Sequence, residues 1–200
     1  RQLRTDYLDI FLIHGLKPED YDIVYERYGL AIERLKQAGK IRLVGFSERM
    51  GEDLNHRVTI NAISRHPSFW DVTMLRYGIL NQCAREQALP LAAENGVAVM
   101  NMSPARYLLP HPEQLVEQIS SWKADGSLEL DAVPDHDPFA WLVHGEVESV
   151  VSAGMKFAAD HPGVSTVLTG TRSLDHLEGN IRALERPRLP EEDHDRLVQL

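Results

Sequence analysis

The sequence predicts an α/β fold in which about five parallel strands alternate with helices. Three observations carry that reading: short β-rich apolar runs recur five times, segments with apolar residues at helical spacing lie between them, and glycines stand where helices would end. The first run, Tyr7 to His14 (YLDIFLIH), is broken only by Asp9, the pattern of a strand buried on both faces of a parallel sheet. Lys17 to Asp20 then form a polar turn, and Tyr28, Ala31, Ile32 and Leu35 follow at helical spacing, with Gly39 placed for a left-handed cap. IRLVGF (41–46) precedes a helix near 52–64, DVTMLRY (71–77) precedes one near 84–95, and VAVMNM (97–102) follows Gly96. A longer stretch holds helices near 111–122 and 146–160, with Val147, Val150, Val151, Gly154 and Phe157 on one face of the second. The intervening KADGSLELDAVPDHDP reads as loop. STVLTG (165–170) is the fifth strand, followed by a helix from about Ser173 to Leu184 and a short acidic last helix. Strand–helix alternation implies parallel βαβ units. It fits an open doubly wound sheet and part of a closed barrel equally, and periodicity does not separate the two.

At 200 residues and 43% hydrophobic content the chain is expected to form a single domain, 1–200, around one core. No run approaches the roughly 18 to 20 apolar residues of a membrane span, and RQLRTDYLDIFLIHG lacks a signal-peptide cleavage pattern, so no membrane partner and a cytoplasmic location are expected. Cys83 is the sole cysteine and has no partner for an internal disulfide. A net charge of −9 argues against nucleic acid, whose binding rests on Lys and Arg releasing phosphate counterions. The chain opens at Arg1, in what reads as the tail of a helix entering a strand.

Three segments, RTDYLDIFLIHG, LKQAGKIRLVGFSE and GVSTVLTGTRSLDHLEGN, together resemble the aldo-keto reductase family in order and spacing, and the resemblance spans all 200 residues. NMSPAR and KFAADHPGVSTVLTGT are most similar to the branch that includes galactose and fucose dehydrogenases. The resemblance implies a partial (β/α)8 TIM barrel with its three amino-terminal units absent, and an NAD(P)-dependent oxidoreductase that interconverts a carbonyl (aldehyde, ketone or sugar) and an alcohol. Its cofactor, NADP or NAD, and a small-molecule substrate would lie across the carboxy-terminal strand ends. His14, Ser47, Tyr77, Ser103 and Thr171 each close or follow a strand and would gather at that mouth.

Residue by residue, the resemblance places His14 at the active-site histidine, which polarises the substrate carbonyl by donating to the developing alkoxide. A histidine that merely bonds a loop carbonyl is the structural alternative. Ser47 matches the serine of a Ser-Asn pair that holds the nicotinamide carboxamide, but Glu48 replaces the asparagine and accepts without donating. Ser103, after Met102, is a further cofactor contact or a plain turn residue. Gly170, Thr171, Arg172, His176 and Asn180 match the segment that grips the adenosine ribose and its 2′-phosphate, and they open a helix whose N-terminus favours an anion. Asp135, His136, Asp137 and His144 read as a solvated acidic loop, with no metal expected. The family's tyrosine, lysine and aspartate are not assigned in this chain, which is expected to be inactive alone. A nicotinamide-dinucleotide-sensing regulatory subunit and a sugar-phosphate lyase or isomerase barrel are the competing readings.

Overall fold

A computed structural model describes residues 3–105, 107–186 and 188–200. Five parallel strands form one sheet in the order β1-β2-β3-β4-β5, sequence order throughout: β1 (Leu8–Leu16), β2 (Ile41–Glu48), β3 (Val72–Leu75), β4 (Ala98–Asn101) and the two-residue β5 (Thr166–Val167). Between and after them lie α1 (Tyr21–Gln37), α2 (Arg57–Arg65), α3 (Ala88–Glu94), α4 (Pro112–Asp125), α5 (Val150–Asp160), α6 (Leu174–Glu185) and α7 (Glu191–Val198). The chain divides into two compact units. One holds Arg1–Tyr77, Cys83–Met102 and Gly163–Thr166, and the other holds Gly78–Gln82, Ser103–Pro162 and Val167–Leu200.

In the first unit the register sets which side chains face which way. Ile10 pairs with Leu43 and Leu12 with Gly45, while Phe11 and Ile13, one residue out of phase, pack on the core of Val44, Phe46, Ile32, Val58, Ala62 and Trp70 under α1 and α2. Gly45 is required by the sheet itself, since a Cβ there would come within 2.1 Å of the Val72 carbonyl oxygen. Among the described residues one face of β1 is covered, where Phe11 and Ile13 pack on the core under α1, while Ile10, 42% exposed, and the exposed His14 lie off that core. Gly39 does terminate α1 in the left-handed region (φ 67°), where Lys40 N–H reaches the Leu35 carbonyl. Asp71 ties α1 to the sheet: its carboxylate accepts from Lys36 Nζ at 2.6 Å and from the Val44 N–H at 2.8 Å.

Against α1 and α2 an aromatic cluster forms around Tyr21. Trp70 Nε1 donates to the Tyr21 hydroxyl at 3.1 Å, that hydroxyl lies 2.6 Å from His66 Nδ1 and donates to the Ala62 carbonyl at 3.4 Å, and the Tyr25 ring stacks on His66 at 3.6 Å. Burial holds the His66 pKa below the ordinary 6.5. The unfolded chain then takes up the His66 proton more readily than the folded one. The contribution of His66 to stability is full above pH 6.5 and is lost as pH falls through that value toward the lowered folded-state pKa. Urea midpoints are expected to fall between neutral pH and about pH 5, with a shallower fall in His66→Gln; equal slopes for the two proteins would remove His66 from the account.

In the second unit, α5 begins at Val150 rather than near 146, because Ser149 and Ser152 form a reciprocal capping box there. Of the expected face, Gly154 and Phe157 are buried in α5 and Val147 just before it, whereas Val150 and Val151 are half-buried, and burial runs unbroken from Ser152 to Ala158 rather than along one stripe. Glu148 grips Arg182 of α6 with two bonds of 2.9 Å. Arg196 of α7 lies 4.1 Å over the Trp141 ring, and Gln82 donates to the Leu197 carbonyl at 2.7 Å.

Candidate active site and nucleotide loop

The carboxy-terminal ends of β1 and β2 form one candidate centre. The regular register of β1 against β2 breaks between Ile13 and Leu16, so His14 and Gly15 sit on an irregularity, the kind of kink that re-aims a side chain at a strand end. Gly15 takes a left-handed φ of 63°, and its N–H donates to Ser47 Oγ at 2.8 Å. The Ser47 hydroxyl thus fixes the turn that presents the exposed His14 ring, and its own proton stays available to donate. This bond brings the His14 turn and Ser47 together at one end of the sheet.

Glu48 is turned away from that face. It is 5% exposed, and its carboxylate accepts from Thr59 Oγ1 at 2.6 Å and from His56 Nδ1 at 2.7 Å. Having given its proton to Glu48, Thr59 receives one from Thr73 Oγ1 at 3.0 Å. Glu48, His56, Thr59 and Thr73 therefore form a buried polar cluster between β2, β3 and the start of α2, where His56 itself adopts φ 55°. This cluster is invisible in a linear reading. A Ser-Glu pair at a strand end shows a substitution, but not that α2 supplies the partners. Asn101 is likewise missed: fully buried, its amide clamps both the N–H and the carbonyl of Tyr77 at 2.9 and 2.8 Å.

In the second unit, Ser103 is half-buried with φ 61°, an uncommon conformation for a serine. The loop before α6 is ordered by short-range bonds. Thr171 Oγ1 accepts from the Ser173 N–H at 3.1 Å, and Ser173 Oγ caps α6 by accepting from the His176 N–H at 3.4 Å. Arg172 and His176 are exposed, and among the described residues Arg172 makes no ion pair. Gly170 is open, with no heavy atom within 4 Å of where a Cβ would stand, so its lack of a side chain is not a packing need. Asn180 is buried and donates to Thr169 Oγ1 at 2.5 Å, anchoring α6 to the end of the last strand. The acidic loop disperses its groups: Asp135 pairs with Lys123 at 2.7 Å and His144 with Asp193 at 2.7 Å.

A profile of the aldo/keto reductase family matches residues 1–200. The chain belongs to the aldo/keto reductase family. It is 26% identical over 197 residues to an uncharacterized oxidoreductase, YqkF, of Bacillus subtilis, covering 96% of this chain and 60% of that protein. It is 24% identical over 104 residues to an NADH-specific methylglyoxal reductase of Escherichia coli, covering 52% of this chain and 30% of that protein. The solved holo form of the aldo-keto reductase AKR11C1 from Bacillus halodurans superposes with a TM-score of 0.68 at 24% identity, over 99% of this chain and 62% of that one. An aldo/keto reductase from Klebsiella pneumoniae in complex with NADP and acetate gives 0.62 at 23% identity, over 99% and 60%. The five parallel strands and their helices are thus part of the (β/α)8 barrel of aldo/keto reductases, and the chain spans about three fifths of the length of these relatives. This decides between the two architectures that periodicity leaves open. Among the described residues no helix is long and apolar enough to cross a membrane.

Proposed function

We propose that this chain is the carboxy-terminal part of an NAD(P)-dependent oxidoreductase that interconverts a small-molecule carbonyl, an aldehyde, ketone or sugar, and its alcohol. The observation that carries the reading is the exposed His14 on the β1 kink, locked to Ser47 through the Gly15 N–H. An imidazole N–H held there donates to a carbonyl oxygen as negative charge develops on it, which is worth most where the donor is fixed in advance. Ser47 keeps a hydroxyl proton for a second acceptor, such as an amide oxygen.

The nicotinamide dinucleotide supplies or accepts the hydride when bound. The residues present fit its phosphate end: α6 offers a capped helix N-terminus, and Arg172 beside it is an exposed cation with no ion pair among the described residues. They fit its carboxamide end in part, because Glu48 is committed to His56 and Thr59 and leaves Ser47 as the donor. Asn180 supports the loop from beneath through Thr169 rather than by facing outward. The NADP complex of the Klebsiella pneumoniae protein supports the same cofactor class.

Arg172 is expected to favour NADP over NAD, through a charge-assisted bond to the 2′-phosphate worth roughly 1.5 to 3 kcal/mol, or about tenfold or more in affinity. Titration of both dinucleotides into wild-type and Arg172→Ala protein reads this directly. The variant should lose NADP affinity far more than NAD affinity. Equal losses would remove the 2′-phosphate role, and no binding of either dinucleotide by wild type would overturn the oxidoreductase reading.

A further inference from the structure

Arg76 follows β3 by one residue, in the unit that holds His14 and Ser47. Its direction follows from its neighbours. Thr73 and Leu75 are fully buried, and Thr73 reaches Thr59 of α2, so these odd positions face the helices. Met74 is half-buried on the other face and pairs with Ser47 of β2. Extended geometry continues past the strand's end, since the Leu75 carbonyl accepts from the Met102 N–H at 2.8 Å and Asn101 clamps Tyr77. Arg76 therefore shares the face of Met74 and Ser47.

Its Nε is buried and has no hydrogen-bond partner, and no carboxylate among the described residues pairs with Arg76. A guanidinium is always charged, and leaving one of its donors buried and unmet is unfavourable unless an anion completes it. We propose that Arg76 receives the carboxylate of the substrate, which makes the preferred carbonyl compound an oxo acid or an aldehyde acid. The planar fork suits two parallel bonds to a carboxylate. Strands β1 and β3 lie about 10 Å apart through β2, a gap that a small molecule bridges with its carbonyl toward His14 and its acid toward Arg76. The proposal rests on the oxidoreductase reading for the carbonyl end and on the guanidinium alone for the acid end.

The test separates the two ends. The first arm titrates the chain with 4-carboxybenzaldehyde, its neutral methyl ester and ADP, following the Arg76 Nε–H signal by NMR without any turnover. A shift with the acid, roughly tenfold weaker or absent with the ester and with ADP, supports the assignment. No shift with the acid, equal shifts with acid and ester, or a shift with ADP alone overturns it. The second arm compares kcat/KM for acid and ester in the protein reconstituted as an active barrel. Arg76→Met should reduce the acid-to-ester ratio about tenfold, and Arg76→Lys should reduce it less. An unchanged ratio in both variants overturns the proposal, whereas a positive titration with no turnover of any aldehyde overturns the oxidoreductase reading and leaves the anion site in place.

Discussion

Replacing Glu48 with alanine is expected to destabilise the protein by about 3 to 5 kcal/mol, the largest single-residue effect in the first unit. The carboxylate is 5% exposed and receives two short bonds, from Thr59 at 2.6 Å and His56 at 2.7 Å. Deleting it strands a buried hydroxyl and a buried imidazole N–H, each costing about 1 to 3 kcal/mol, and leaves a void beside them. His56 has a buried Nε2 without a hydrogen-bond partner, so the ring has no second bond on which to fall back. Glu48→Gln keeps the volume and the acceptor for Thr59, but it sets an amide N–H against His56 unless the ring changes tautomer. Its cost should be smaller, about 1 kcal/mol. Urea denaturation with an unchanged slope measures both. A loss below about 0.5 kcal/mol for Glu48→Ala would mean that the cluster does not hold β2 to α2.

The same cluster marks where the sequence stops being legible. Strand–helix alternation, the Gly39 cap and the capped start of α6 are local, set by residues a few positions apart, and they are readable from the chain. Site candidates that rest on a single side chain, such as His14 at a strand end and Arg172 before a helix, can be named from the chain. The site is not readable where the partners come from a distant element. Glu48 looks like a failed asparagine until Thr59 and His56 fold against it, and Arg76 looks like an ordinary strand-end charge until its neighbours show that no carboxylate meets it.

The second large effect concerns turnover. The chain by itself is expected to show no carbonyl reduction or alcohol oxidation above background, despite holding His14, Ser47 and the Arg172 loop. Hydride addition to a carbonyl leaves an alkoxide that must gain a proton. In the family that this chain joins, a tyrosine assisted by a lysine gives it, and neither is assigned among these 200 residues. Tyr77, two residues past the carboxy-terminal end of β3, is 1% exposed and held by Asn101 through its backbone, and so is not presented as an acid. In the proposed reading His14 would polarise the carbonyl and would not replace both the tyrosine and the lysine. Groups that act as a unit lose activity non-additively, so a remainder of the set leaves little.

The decisive measurement is the rate of absorbance change of reduced nicotinamide with a panel of aldehydes, and of the oxidised cofactor with sugars, for the chain alone and with three upstream β/α units supplied in fusion or as a separate chain. Turnover that appears with the added units and falls sharply in His14→Ala is the predicted result. Robust turnover by the 200-residue chain alone, abolished by His14→Ala, would contradict the account and require a proton donor within the chain.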